Sequence, residues 1–480
     1  MYLADSRSTK AATTKAASTG AGTGDADSAA SRSTDPAAVP GIRPGRRAAA
    51  VPGTVLALGA VSLITDVSSE MVSAVLPLYV VAGLGLSPLG FGLLDGINNG
   101  VGALVRLVGG HAADAGRGRH KAVAAIGYGL SAACKPLLLL AHTLPLIGAV
   151  LAVDRTGKGL RTAPRDALIS LSTAPEHRGR AFGVHRAMDT TGALLGPLVA
   201  FALLRLATDG YDAVFAVSAC VAALGVLVLL LFVPGRAATA EPADGPRPAL
   251  RDSLALLRLP ALRRLTLAAV LLGLTTVSDS FLYLLLQRRL DLPAHLFPLL
   301  PLGTAAAFLL LAVPFGAAAD RIGRRRLFLL GHLVLLAGYG LLLAPLHAWW
   351  TAPPVLLLHG SFYAATDGVL AAAASATVPA EQQGAGLALV GTGQALARFG
   401  CSLAFGAGWT LWGGRTVLAI AAAALAVAAG LAFLLVRTAE TSRTAETPET
   451  SRTAETPETS RTAETPSTAD STGTTEEHPA

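Results

Sequence analysis

Apolar runs of roughly 20 residues or more recur along residues 51–436, broken by short polar or charged connections, and a run of that length is what a helix needs to cross a hydrocarbon core. The runs lie at 54–82, 88–110, 121–141, 143–164, 181–205, 212–233, 265–288, 295–318, 327–346, 350–375, 384–408 and 415–436, and predict twelve transmembrane helices. The fourth is the least apolar. It holds DRTGKGLRTAPRDALIS from Asp154, with six charged residues, in a chain where 14% of residues are charged and 52% are hydrophobic.

The segment 234–264 is polar and basic, and it divides the runs into six before and six after. This predicts an all-α membrane protein of two six-helix bundles related by pseudo-symmetry, 51–233 and 265–436, joined by a cytoplasmic linker at 234–264. Residues 1–50, rich in Ala, Ser, Thr and Gly, read as a disordered tail without a secretory signal. Residues 437–480 repeat RTAETPETS from Arg443 and Arg452, and read as a second disordered tail, since Thr, Glu and Pro cannot bury enough surface to fold.

Composition adds orientation. At 480 residues and a mean hydropathy of +0.54, the chain is too apolar for a soluble domain. Its basic residues gather in alternate connections, among them Arg117, Arg119 and Lys121, then Arg178 and Arg180, then Arg263 and Arg264, then Arg321, Arg324, Arg325 and Arg326. Basic connections stay inside, so both termini are expected in the cytoplasm of a cell that carries the chain in its plasma membrane. The pI near 9.6 follows from that asymmetry and implies no nucleic-acid partner. Three cysteines, Cys134, Cys220 and Cys401, fall inside runs without metal-ligand spacing, so no metal or cofactor is expected.

Charges inside the runs are costly, about 2.5–3.5 kcal/mol each at mid-bilayer, so they mark partners or a water-filled route. In span one, Asp66, Ser69, Glu70 and Ser73 share one helix face. Two carboxylates at i and i+4 repel, so either one holds a proton, as a proton carrier would, or a cation neutralises them in a structural network. Span two carries Asp95, Asn99, Gly102 and Arg106 as a parallel stripe. Arg106 is either a partner for an acid of span one or four, or a snorkelling interface residue.

In span four Asp154, Lys158, Arg161 and Arg165 form a ribbon, with Arg155 and Asp166 on a neighbouring line. Asp154 precedes Lys158 by four residues, which favours an intrahelical pair. Gly157 and Gly159 permit close helix approach, and Pro164 is expected to kink or end the helix. The outer part of the ribbon is expected to line the route or couple protons. Arg161, Arg165 and Asp166 are expected to lock the cytoplasmic face with Asp114. His185, beside Arg178 and Arg180 at the start of span five, reads as a solvated interface residue. Later charges are fewer: Asp279, then His359, Tyr363 and Asp367 on one face of span ten, then Arg398 in span eleven, which needs Asp279, Asp367 or an anion.

Corresponding connections of the two halves share chemistry. GGHAADAGRGRHK from Gly109 matches FGAAADRIGRRR from Phe315, and APEHRGRAFG from Ala174 matches VPAEQQGAGLAL from Val378. The second of these, with Asp320, Arg321, Arg324 and Arg325, resembles the loop signature of the major facilitator superfamily, and the resemblance extends over about residues 51–436. It implies a secondary transporter working by alternating access, with that loop as a conformational lock. SLITDVSSEMVSAVLPLY from Ser62 and the span-four stretch resemble a bacterial permease subgroup of unassigned substrate. Arg155 with Gly157 and Gly159 matches a buried Arg followed by Gly in the superfamily's fourth span. GALLGP, with Gly192, Gly196 and Pro197, resembles a segment common in its exporters, although helix packing through Gly would give the same pattern. Proton-coupled efflux of a small organic molecule by a monomer is the reading favoured here; uptake by proton symport uses the same acids, and a non-transporting membrane receptor is a third class. Neither a nucleotide loop nor a Ser-His-Asp arrangement supports an enzyme.

Overall fold

The computed structural model describes residues 51–115, 120–234, 255–346, 348–379 and 382–445, and the regular structure in them is helical throughout. The helices are α1 (Gly53–Leu78, extended by a π turn at Tyr79–Gly83), α2 (Pro88–Ala115), α3 (His120–Leu140), α4 (Leu144–Leu171), α5 (Arg178–Leu206), α6 (Gly210–Phe232), α7 (Pro260–Gly273), α8 (Asp279–Leu290), α9 (Leu299–Ile322), α10 (Arg324–Leu343), α11 (Ala352–Thr366), α12 (Val369–Ser375), α13 (Gln383–Trp412) and α14 (Gly414–Ala445). Contacts divide the chain into two units, Met1–Arg437, which holds the helices up to that point, and Thr438–Ala480. The predicted tail at 1–50 and most of the predicted linker, 235–254, lie outside the described residues, as do the side chains of Arg106 and Asp114.

Eight helical stretches among the described residues are long and apolar enough to cross a membrane: Gly53–Gly83, His120–Leu140, Pro175–Leu206, Gly210–Phe232, Ala294–Ile322, Arg324–Leu343, Trp349–Ser375 and Gly414–Leu435. The expected spans outside this set are α2, α4, the α7–α8 segment and α13. Three of them turn polar side chains toward a central cavity, Asp95 and Asn99 from α2, Lys158 and Arg161 from α4 and Arg398 from α13, and that lowers their mean apolarity, while the α7–α8 segment is broken into helices of 14 and 12 residues, each shorter than a span.

Three expectations of helix continuity differ from the structure. Span seven is two helices, interrupted at 274–278, where the backbone N–H of Val277 donates to the Tyr339 hydroxyl at 2.8 Å and Thr276 turns its hydroxyl back to Leu272. Apolar character continues through such a break, so hydropathy does not register it. Span ten ends its first helix at Thr366 and begins its second at Val369, because Gly368 takes φ +75°, a conformation glycine adopts without steric cost. Span four, by contrast, runs through Pro164 to Leu171 without ending. A proline inside a helix removes one backbone bond, and here Arg161 before it and Arg165 after it are both held by carboxylates.

Helices α1 to α6 pack mainly on one another, α1 on α5 and α6, and α3 on α4 and α6; α9 to α12 do likewise, with α11 between α9 and α10, and α7 lies along α13. The first set meets the second chiefly along α2 and α13, with α5 touching α9. Small residues set these distances. On α5, a Cβ at Gly196 would stand 2.8 Å from Cβ of Glu70 and 2.9 Å from the backbone nitrogen of Met71, and Gly192 faces the backbone of Leu63 as closely, so the GALLGP segment lies directly on α1. On α2, a Cβ at Gly96 would stand 2.9 Å from the ring of Phe399 in α13. Beside that contact Phe91 meets Phe281 edge-on at 5.0 Å, and Phe281 lies 4.9 Å from Phe405, closing an aromatic cluster over α2, α8 and α13.

Candidate functional site

A cavity of about 370 Å³ opens among α1, α2, α4, α5, α8, α9, α11 and α13. Its first wall comes from α1 and α4. Asp66, on the α1 face predicted to be polar, accepts from the Arg161 guanidinium at 3.3 Å and lies 3.8 Å from the Lys158 ammonium. Glu70, one turn further, lies 3.6 Å from the same ammonium. One lysine therefore bridges two carboxylates, and both Lys158 and Glu70 keep 33% of their side chains exposed to the cavity. Arg161 is only 3% exposed and lies over the Tyr128 ring, 4.3 Å from its centroid.

Arg106, offered by the sequence as a partner for an acid of span one or four, has its side chain outside the described residues. Arg155, which also lines the cavity, lies 3.6 Å from Asp154. Asp154 pairs with Lys135 of α3 at 3.0 Å and accepts from Ser131 at 2.7 Å, instead of closing a pair with Lys158 along its own helix. The cause is the close approach of α3: a Cβ on Gly157 would stand 2.7 Å from the Gly127 carbonyl oxygen, so the Asp154 side of α4 meets α3 while Lys158 reaches across to α1. Lys135 was missed by the sequence reading. The signal was a lone lysine within an apolar run, which a search for partners of Asp154 would have found.

Arg161 and Arg165 were expected at the cytoplasmic surface, and the structure places both on the cavity wall. Arg165 bonds Asp166 at 3.0 Å and Ser62 at 3.4 Å and lies 3.8 Å from Asp189, which Arg186 approaches at the same distance. His185, expected to be solvated, is buried, and its Nε2 has no hydrogen-bond partner among the described residues. The second loop signature is exposed: Asp320 faces Arg324 at 3.9 Å with 68% of its side chain open, and Arg324 also donates to the Ala372 carbonyl at the start of α12's last turn.

The second wall is simpler. Asp279 opens α8, where the partial positive charge of a helix start favours a carboxylate. It takes hydrogen bonds from His359 at 3.1 Å and from the Tyr363 hydroxyl, both on α11. Asp367, in the α11–α12 break, and Arg398 of α13 also line the cavity. Between the walls, Asp95 of α2 accepts from Ser402 of α13 at 2.6 Å and from Asn99 at 3.3 Å. No cluster of His, Cys, Asp and Glu suited to a metal ion occurs among the described residues.

A cavity lined by charges among long apolar helices is what a multi-pass membrane protein with a water-accessible route presents. The chain belongs to the Major Facilitator Superfamily, whose family model matches residues 58–309 and 280–469, and it is accordingly a secondary transporter. It is 29% identical over 294 residues to an uncharacterized MFS-type transporter of Methanocaldococcus jannaschii, a match covering 58% of this chain and 69% of that one. It is 35% identical over 187 residues to an uncharacterized protein of Mycobacterium tuberculosis, covering 39% of this chain and 42% of the relative. Among solved structures, the nucleoside transporter NupG aligns with a TM-score of 0.68 at 14% identity, covering 80% of this chain and 99% of that one. A bacterial homolog of the human lysosomal transporter Spinster, in an inward-facing and unoccupied conformation, aligns at 0.66 and 15%, covering 80% and 96%. These likenesses are of fold.

Proposed function

We propose that the chain is a twelve-span transporter of the plasma membrane, with both termini in the cytoplasm and two six-helix bundles that rock about the cavity, exporting a small organic molecule in exchange for protons. The observation that carries it is Lys158 between Asp66 and Glu70 on the cavity wall. Asp66 has a second, buried cation in Arg161, whereas the ion pair of Glu70 is with Lys158 alone among the described residues. When Lys158 moves fully onto Asp66, Glu70 is left to a proton or to a cationic group of a substrate. A carboxyl group that holds a proton no longer attracts that cationic group, so the two ligands exclude each other, as exchange requires. GALLGP on α5, lying against Glu70, is consistent with export.

Proteoliposomes loaded with a pH-sensitive dye test this when challenged with a panel of organic cations, anions, sugars, nucleosides and peptides. The expected result is that a positively charged compound evokes proton efflux from the lumen against its own entry, and that Glu70→Gln abolishes it. Proton movement in the same direction as the compound identifies uptake by symport, and no movement with any compound that is transported removes protons from the reading.

A further inference from the structure

Asp95 differs from every other acid on the cavity wall whose partners are described. It is 6% exposed, and among the described residues the groups bonded to it are neutral: the Ser402 hydroxyl at 2.6 Å and the Asn99 amide at 3.3 Å, with the hydroxyls of Ser278 and Ser280 also facing it. No Lys, Arg or His nitrogen of the described residues lies within salt-bridge distance of it, whereas Asp66, Glu70, Asp154, Asp189 and Asp279 each have one. The charged and titratable groups that face it from neighbouring helices are Asp279 at the start of α8, which repels a second negative charge, and Cys401 of α13. Arg398 of α13 and Arg155 of α4 stand on the same cavity.

The position is as informative as the chemistry. Asp95 is on α2, Ser402 on α13 and Ser278 in the α7–α8 break, so the group sits where the first set of helices touches the second. Gly92 and Gly406 bring the two backbones together beside it: a Cβ on Gly92 would stand 3.3 Å from the α-carbon of Gly406. Any motion that separates α2 from α13 parts Asp95 from Ser402 and admits water to it.

We propose that Asp95 is a second proton-binding site of the transporter, loaded while α2 and α13 are in contact and emptied when they separate. An ionised carboxylate in a low-dielectric seam is strongly disfavoured without a cation beside it, whereas a protonated one fits: its O–H and the Ser402 hydroxyl exchange donor and acceptor roles over the same short distance. Opening the seam replaces the hydroxyls with water, which stabilises the ionised form and releases the proton. The inference rests on the transporter reading but not on the role of Glu70, and it adds a proton that a count based on span one alone would omit.

Infrared difference spectra of the purified full chain, taken between acid and alkaline buffer, read this without a substrate. The expected result is a carbonyl-stretch band of a protonated carboxylic acid that Asp95→Asn removes, that Glu70→Gln leaves in place, and that Ser402→Ala shifts in frequency. The last variant keeps the carboxyl group, so it decides the matter should Asp95→Asn fail to fold. A band that survives Asp95→Asn, or is unmoved by Ser402→Ala, overturns the proposal. So does a band that sodium ions abolish at constant pH, which assigns the seam to a metal cation. If the band behaves as expected while dye-loaded proteoliposomes show no compound-driven proton flux, the exchange reading fails and the site at Asp95 stands.

Discussion

The two walls of the cavity solve the problem of buried charge differently. On the first and buried behind it, Asp66, Glu70, Asp154 and Asp189 are matched by Lys135, Arg155, Lys158, Arg161, Arg165 and Arg186, and several of these cations stand within reach of two acids or share one. On the second, Asp279 is held at a helix start by hydrogen bonds from one imidazole and one phenol of α11. A network with interchangeable partners can redistribute charge at little cost when helices shift. A carboxylate fixed by directional hydrogen bonds cannot. The first wall is therefore suited to coupling, and the second to positioning.

The largest expected effect lies at the base of the first wall. Asp154→Asn leaves the Lys135 ammonium buried without its counter-charge, and breaking such a pair costs about 3–5 kcal/mol, so the melting temperature of the purified protein should fall sharply. The double variant Lys135→Met, Asp154→Leu should recover most of the loss, and no recovery would mean that the pair serves more than neutralisation. Next come the exchangeable acids. Asp66→Asn or Glu70→Gln should remove proton-driven transport while counterflow exchange down a substrate gradient persists; full proton drive in both variants would reduce the first wall to a structural network like the second.

On the second wall, Tyr363→Phe removes one hydrogen bond to a charged group, worth about 1.5–3 kcal/mol. It should weaken substrate binding or stability without changing the ratio of protons to substrate. A changed ratio would erase the distinction between the walls. The smallest effect on stability is expected at Asp320→Asn, since exposed pairs contribute about 0–1 kcal/mol. If that loop locks one conformation, turnover should nonetheless slow and the accessibility of cysteines placed on the cavity wall should change, and unaltered turnover would exclude such a lock.

Much of the first wall was legible in the sequence, because Asp66 with Glu70 and Lys158 with Arg161 repeat at helical spacing in runs where charge is expensive. Their partners were not. Periodicity places side chains on a face but does not say which helix that face meets, so Asp154 was assigned to Lys158 when the Gly127–Gly157 contact delivers it to Lys135. The breaks at 274–278 and at Asp367 were hidden for a related reason: hydropathy averages over a window and registers composition, not backbone conformation. At Pro164 the sequence left both a kink and an end open, and the helix continues to Leu171. The Ser402 hydroxyl, three hundred residues from Asp95 in sequence, had no local signal at all.

The bond between Lys135 and Asp154 also bears on how the chain is made. Helix α3 ends at Leu140 and α4 begins at Leu144, so the two emerge from the ribosome in close succession as a hairpin. Alone, α3 would bring an uncompensated ammonium into the bilayer, and α4, the least apolar span, would bring its ribbon of charges. Entering together, they can arrive with Lys135 and Asp154 already paired, which makes the hairpin, and not the single helix, the natural unit of insertion at this point of synthesis.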